Sequence, residues 1–187
     1  MKKQINQALK ITALSIIVCC ILYSLLILII AQAAPNKGAG QTLIVNGEVK
    51  GYLYEGQSFT KDKYFNGRPS AVSYNAASSS GSNKGPTNPD YLKDVQARVD
   101  SFLVHNPGKH KSEIPSELVT ASGSGLDPDV SILGAMIQVD RIAKSRNLSS
   151  ETINKLIIQQ KERPFLGLFG TEKVNVLKLN IALNEIK

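Results

Sequence analysis

The chain of 187 residues has no tryptophan, two histidines and two cysteines, and aromatic residues make up only 6% of it. Both cysteines, Cys19 and Cys20, lie inside one apolar stretch near the N-terminus, so the rest of the chain has no disulfide available and must fold on packing alone. His105 and His110 have no cysteine near them, which leaves no zinc-ligand spacing, and Asp127-Pro128-Asp129 lacks the remainder of a calcium loop. The strained Gly-x-Ser-x-Gly elbow of many hydrolases does not occur. Residues 80–87 have the look of a phosphate loop, but Gly-x-x-x-x-Gly-Lys-Ser/Thr matches nowhere. There are no internal repeats, and the serine run at 78–82 is the nearest approach to low complexity. Net charge is +7, but Lys2, Lys3 and Lys10 precede the apolar stretch, so 19 cations face 15 acids beyond Ala34. That excess is too small to argue for nucleic acid.

What the chain does have, first, is an uncharged apolar run at residues 11–31. Its 21 residues reach about 31 Å as a helix, close to the hydrocarbon thickness of a bilayer. The three lysines before it predict a cytoplasmic N-terminus and an extracytoplasmic remainder. Ala31-Gln32-Ala33 resembles a signal-peptidase site, yet the run exceeds the roughly 7 to 15 residues of a signal core, which favours a retained anchor. Ile17 and Val18 stand where a lipidated cysteine would need a small residue, so Cys19 is not read as a lipid attachment point. The expected organisation is a cytoplasmic N-terminus at 1–10, a transmembrane anchor at 11–31 and one extracytoplasmic domain at 35–187.

Within that domain, residues 42–49 read as strand with a two-residue turn at Asn46-Gly47. Residues 59–89 form a long irregular stretch whose fixed Gly, Ser, Asn and Pro turn signals favour an ordered loop. Asn88 and Pro89 predict a helix start, with Leu92, Val95, Val99, Phe102 and Leu103 on one face and a stop at Asn106-Pro107-Gly108. A second helix is predicted over 131–146, its apolar face carrying Ile132, Ala135, Met136, Val139, Ile142 and Ala143, and its opposite face, with Asp140 and Arg141, wet. Asp127 is expected to cap it. Ser149 caps a third helix, stapled by Leu148 and Ile153 and ended by residues 159–164. A short extended entry near Val174 leads into a C-terminal helix. The fold class is α/β of the α+β type: one N-terminal transmembrane helix, then a single domain with a small sheet and about four helices.

Candidate chemistry is sparse. Ser80, Ser82, Ser122 and Ser124 invite a hydrolase reading, for which a Ser-Lys dyad with Lys84 or Lys109 is the remaining route. As turn formers and caps they need no catalytic role. Leu53-Tyr54-Glu55-Gly56-Gln57 has the Leu-x-x-Gly-Gln outline of a nucleotide-contacting loop in ABC transporters, and equally reads as a glycine turn leaving a strand. Tyr64-Phe65-Asn66-Gly67-Arg68-Pro69 suits either a rigid contact surface or a cover over the core.

Taken in order, several phrases resemble the C subunit of the bacterial potassium-transporting Kdp ATPase. They are Glu55-Gly56-Gln57-Ser58-Phe59, Tyr64-Phe65-Asn66-Gly67-Arg68-Pro69-Ser70-Ala71, Ser80-Gly81-Ser82-Asn83, Thr87-Asn88-Pro89 and the stretch from Val119 through Ser122, Ser124 and Asp127 to Pro128. Gln138-Val139, Arg141-Ile142-Ala143, Arg146 and Val174-Asn175-Val176-Leu177 follow, then Leu179-Asn180 and Ala182-Leu183. The likeness covers nearly the whole chain. It departs near Asn66, where the family often has Trp or His, and at Ile132-Leu133-Gly134, where it has Pro and small residues.

The resemblance implies a non-catalytic accessory subunit of an inner-membrane potassium uptake pump. Its partners would be a channel-like A subunit, a P-type B subunit that hydrolyses ATP, and a small F peptide. It further implies stabilisation of the complex and a chaperone-like increase in the ATP affinity of the B subunit, linked to Gln57, with ATP itself bound mainly by B. A domain outside the membrane cannot touch ATP in the cytoplasm, so such an effect would have to pass through the partners. Tyr64, Phe65, Arg68, Asn83, Ser122, Ser124 and Asp127 are the candidate partner-interface residues, and no catalytic or metal-binding residue is expected. An exported serine hydrolase and a secreted binding module cleaved after Ala33 are the alternatives.

Overall fold

The computed structural model of the protein describes residues 1–186 and contains two compact units, Met1–Thr42 and Leu43–Lys187. The first unit is dominated by a helix running from Lys2 to Gln32, made of α1 (Lys2–Ile16), a π-helical stretch (Ile17–Leu22) and α2 (Tyr23–Gln32). It is long and apolar enough to cross a membrane, and none of its side chains is packed inside the protein.

The second unit begins with the hairpin β1 (Thr42–Val45) and β2 (Glu48–Tyr52). Asn46 and Gly47 both adopt positive φ, 53° and 80°, the geometry that a two-residue hairpin turn requires. After the long irregular stretch, α3 (Pro89–His105) starts where Asn88 accepts hydrogen bonds from the Asp90 and Tyr91 N–H groups. Its apolar face is less buried than the periodicity predicts. Val99 is buried and Phe102 packs on the core, but Leu92 is exposed.

A three-stranded antiparallel sheet forms from β3 (Asp129–Ser131), β4 (Lys161–Glu162) and β5 (Lys173–Asn175), with β5 central. Asp129 pairs with Asn175, Val130 with Val174 and Lys161 with Val174, so Val130 and Val174 enter the core together. Asp127 does not cap a helix. Its carboxylate accepts from the Asp129 N–H at the head of β3, and the cap of the next helix is Ser131, whose hydroxyl accepts from Gly134.

The helix expected over 131–146 is two helices, α4 (Ile132–Met136) and α5 (Val139–Arg146). At the junction Gln138 N–H bonds to Ala135, three residues back, which tightens the turn and redirects the axis. Asn147 ends α5 in the left-handed conformation, with its N–H on the Ala143 carbonyl. Ser149 caps α6 (Ser150–Gln159) through the Thr152 N–H, while Leu148 and Ile153 both join the core as a staple does. After β5, Asn175 caps α7 (Val176–Glu185) through Lys178, and Val176, Leu179 and Leu183 bury one face. Phe65, Ile142, Ile153, Ile157, Leu179 and Leu183 are the large apolar side chains at its centre. Among its described residues the domain thus has two small sheets and five α-helices, one more than predicted because of the break at 137–138.

Candidate functional site

Besides Ser122, five polar residues are buried among the described residues: Asn106, Gln138, Arg141, Asn175 and Asn180. A buried polar group without a partner costs about 1–3 kcal/mol, so what each one binds shows what it is for. All five bind loop backbone or one another. Asn180 on α7 accepts the Phe65 N–H at 2.8 Å and donates to the Phe65 carbonyl at 2.9 Å, closing a two-point clamp. Asn175 donates to the Leu53 carbonyl at 2.7 Å while capping α7 with its oxygen. Gln138 accepts the Asn66 N–H and donates to both the Asn66 and Gly134 carbonyls.

Arg141 is the centre of this network, and it reverses the expectation of a wet face. Its side chain is 4% exposed. Its guanidinium donates to the Asp62 carbonyl at 2.6 Å, the Tyr64 carbonyl at 3.1 Å, and the side-chain oxygens of Asn66, Gln138 and Asn106 at 2.6, 2.7 and 3.2 Å. Burial lowers its pKa from the ordinary arginine value, and the nearby Asp62 carboxylate pulls the other way. A guanidinium keeps its charge in such a place and presents its donors in a planar fork, which suits several fixed acceptors. Asp140, its neighbour in sequence, is exposed and pairs with Lys109 at 2.7 Å. Spacing carried part of the signal: Gln138 falls three residues after Ala135 and four before Ile142, on the apolar stripe itself.

The two loop phrases are brought against each other. The Ser122 N–H donates to the Pro69 carbonyl at 3.0 Å, the Gly56 N–H to the Leu126 carbonyl at 2.8 Å, and the Ser79 hydroxyl to the Ser124 carbonyl at 2.9 Å. Arg68 and Asp127 form an ion pair at 2.9 Å, both half-buried. Tyr74 donates its hydroxyl to the Arg68 carbonyl at 2.7 Å, and burial raises its pKa, an effect that Arg98 partly offsets. Gly125, at φ 69°, lies so close that a side chain there would meet Val72 at 2.6 Å and the Ser80 carbonyl at 2.7 Å.

Of the candidate interface residues, Arg68, Ser122 and Asp127 therefore sit in the loop junction. Ser124 and Asn83 are exposed, and Asn83 takes a positive φ of 53°. Phe65 has no exposed surface; it is a core residue and offers no side chain to a partner. Tyr64 is half-buried, with the Phe59 ring 5.7 Å away and the Arg146 guanidinium 5.2 Å over its face. Gln57 shares a cleft of about 510 Å³ with Tyr64, Lys50 and Asn184, and its amide occupies the place a side chain at Gly51 would take. The Leu-x-x-Gly-Gln glycine, Gly56, has no room for a side chain against the Asp127 carbonyl.

Nucleophile and base are not assembled among the described residues. The Ser122 hydroxyl is buried without a hydrogen-bond partner, and those of Ser80, Ser82 and Ser124 bond to backbone. Lys84 and Lys109 are paired with Asp94 and Asp140. His105 Nδ1 lies 2.8 Å from Asp62 in a separate cleft of about 430 Å³, with both side chains half exposed and Ser101 on the same wall but not bonded to the ring. No group of three metal-ligating side chains occurs among the described residues.

The family model described as the K+-transporting ATPase c chain, KdpC, matches residues 5–185. A Bacteroides fragilis potassium-transporting ATPase KdpC subunit is 48% identical over 188 residues, covering 99% of this chain and 98% of the relative. The Flavobacterium psychrophilum KdpC subunit is 52% identical over 185 residues, with 99% and 100% coverage, and a Bacillus cereus one 43% identical over 189 residues, with 99% and 98% coverage. A likeness at this level from end to end, on a domain whose buried amides and arginine hold the shared loop phrases in place, has one meaning: the chain belongs to the KdpC family of potassium-transporting ATPase subunits.

Proposed function

We propose that the protein is a non-catalytic subunit that assembles and stabilises a high-affinity, ATP-driven potassium uptake pump. The observation that carries this reading is the end-to-end match to KdpC subunits. The helix from Lys2 to Gln32 supports it, because an apolar surface with no protein packed on it calls for lipid and partner helices. With Lys2, Lys3 and Lys10 at its head, the N-terminus is cytoplasmic and the domain extracytoplasmic, in a bacterial inner membrane. The partners are the channel-like A subunit, the P-type B subunit and the small F peptide, and the loop junction around Arg68 and Asp127, with Ser124 and Asn83 beside it, supplies the contact surface.

Gln57 contributes through that assembly. Its cleft faces no cytoplasmic compartment in this topology, so any rise in ATP affinity of the B subunit is a coupling free energy transmitted through the membrane subunits. The serine hydrolase reading is disfavoured by the buried, unpaired Ser122 hydroxyl and by the lysines already engaged with Asp94 and Asp140.

The test is to solubilise membranes of potassium-starved cells in mild detergent, pull on a C-terminal tag and identify the chains retained. A P-type ATPase chain and a multi-span channel-like chain in fixed stoichiometry are expected, with residues 1–33 present in the intact mass. Recovery of this protein alone, while those chains are expressed, overturns the subunit reading; a mature N-terminus at Ala34 overturns the anchor.

A further inference from the structure

On α3, Arg98, Ser101, Phe102 and His105 recur at the spacing of successive helical turns, and all four line the cleft of about 430 Å³ together with Asp62 and Leu118. A concave space of that size lies in the range of sites for small organic ligands.

Two charges of opposite sign line this cleft without meeting. Asp62 is held at one end, where its carboxylate accepts from His105 Nδ1 at 2.8 Å. Arg98 stands about two turns earlier on α3, about 10 Å back along the helix axis, and has no carboxylate within ion-pair distance among the described residues. Its one hydrogen bond to protein runs from Nη1 to the Val119 carbonyl at 3.1 Å. Elsewhere in the domain Arg68, Lys109, Lys161 and Lys178, all partly buried, each have a carboxylate partner. Arg98 is partly buried as well, and its planar fork keeps donors to spare. A guanidinium so placed in a concave site suits a carboxylate, which it can bind at two points. Phe102, between the two charges on the helix, and Leu118 supply apolar surface. At the far end the Asp62 carboxylate has acceptor capacity beyond its bond to His105.

We propose that this cleft binds a small organic acid. Its carboxylate meets Arg98 and Ser101, its apolar body lies over Phe102 and Leu118, and a hydroxyl or amino group donates to Asp62. Bound there, the acid ties α3 to the loop that Arg141 holds. The site belongs to this chain alone and does not depend on assembly into a pump.

The chain has two histidines, and only His105 lines the cleft, so His110 serves as an internal control. The test follows their ring signals by NMR in the full chain, labelled isotopically at histidine in detergent, at fixed pH. The probes are para-hydroxyphenylacetate and its uncharged amide. The acid is expected to shift His105 saturably, with a Kd of about 1 mM or tighter, and to leave His110 in place. The amide should bind about tenfold more weakly. Arg98→Gln should weaken the acid about tenfold; because it also removes the bond to Val119, Ala97→Leu is the second variant, which fills the cleft and removes no hydrogen bond. Ala97→Leu should weaken the acid to a similar degree with an unchanged urea midpoint. No saturable shift, equal binding of acid and amide, or full affinity in Ala97→Leu overturns the proposal. Equilibrium dialysis of the radiolabelled acid against the assembled complex separates the remaining case. Binding as in the free chain is expected; its loss on assembly would mean that an acidic side chain of a partner fills the cleft, and overturns the small-molecule site while leaving the subunit reading intact.

Discussion

Arg141 on α5 and Asn66 in the loop after the hairpin are 75 residues apart in the chain and meet at 2.6 Å, the guanidinium donating to the side-chain oxygen of the asparagine. Asn66 is tied further by its own side chain to the Phe59 carbonyl and by its backbone to Gln138. One arginine thus sets the position of a loop that runs from Phe59 to Asn66, and through Arg68 and Pro69 it sets the loop junction as well.

Replacing Arg141 by methionine keeps volume but takes the donor from four acceptors, while the Gln138 side-chain oxygen retains the Asn66 N–H. The expected loss is about 3 kcal/mol or more, read as the urea midpoint of the full chain in detergent. Arg141→Lys restores charge but only a single donor centre, and should recover less than half of the loss. A change below about 1 kcal/mol for Arg141→Met would mean the loops are held by packing instead.

Gly125→Ala should separate the loops, since the new methyl meets Val72 and the Ser80 carbonyl and the residue also keeps a left-handed φ. Gly108→Ala is the control: it carries the φ penalty, of order 1 kcal/mol, with nothing near the added carbon. Limited proteolysis is expected to cut the 70–87 segment in Gly125→Ala and to spare it in Gly108→Ala. Equal resistance in the two would remove the junction as a constraint on that segment.

Tyr74 titrates above its ordinary value of 10.0 because burial disfavours the phenolate, and ionisation also removes its bond to the Arg68 carbonyl. For a group whose folded pKa is raised, the associated stability is complete below the unfolded pKa and is lost as pH rises through the folded one. Stability should therefore fall from about pH 10 upward in the wild type. Tyr74→Phe should flatten part of that fall while costing about 1 kcal/mol at neutral pH for the lost hydrogen bond. Lys173, whose pKa is raised chiefly by its hydrogen bond to Asp129, acts in the same direction, so Lys173→Met in the Tyr74→Phe background should flatten the curve further. An unchanged alkaline limb in the double variant would assign the loss to other groups.

Much of this architecture is legible in the residues alone. The apolar run, the Asn46-Gly47 hairpin, the caps at Asn88 and Ser149 and the extended entry to α7 are settled within a few residues of chain, because turn geometry, capping and helix periodicity are local. Family membership is equally local, carried by loop phrases that can be read in order. Tertiary structure alone decided the break at 137–138, the exposure of Leu92, the burial of Phe65 and the inward turn of Arg141. Helical spacing places a side chain on a face but does not say what lies across from it. Arg141 is buried because carbonyls and amides from residues 62 to 66 and from Asn106 arrive there to satisfy it, and that meeting exists only once the chain has folded.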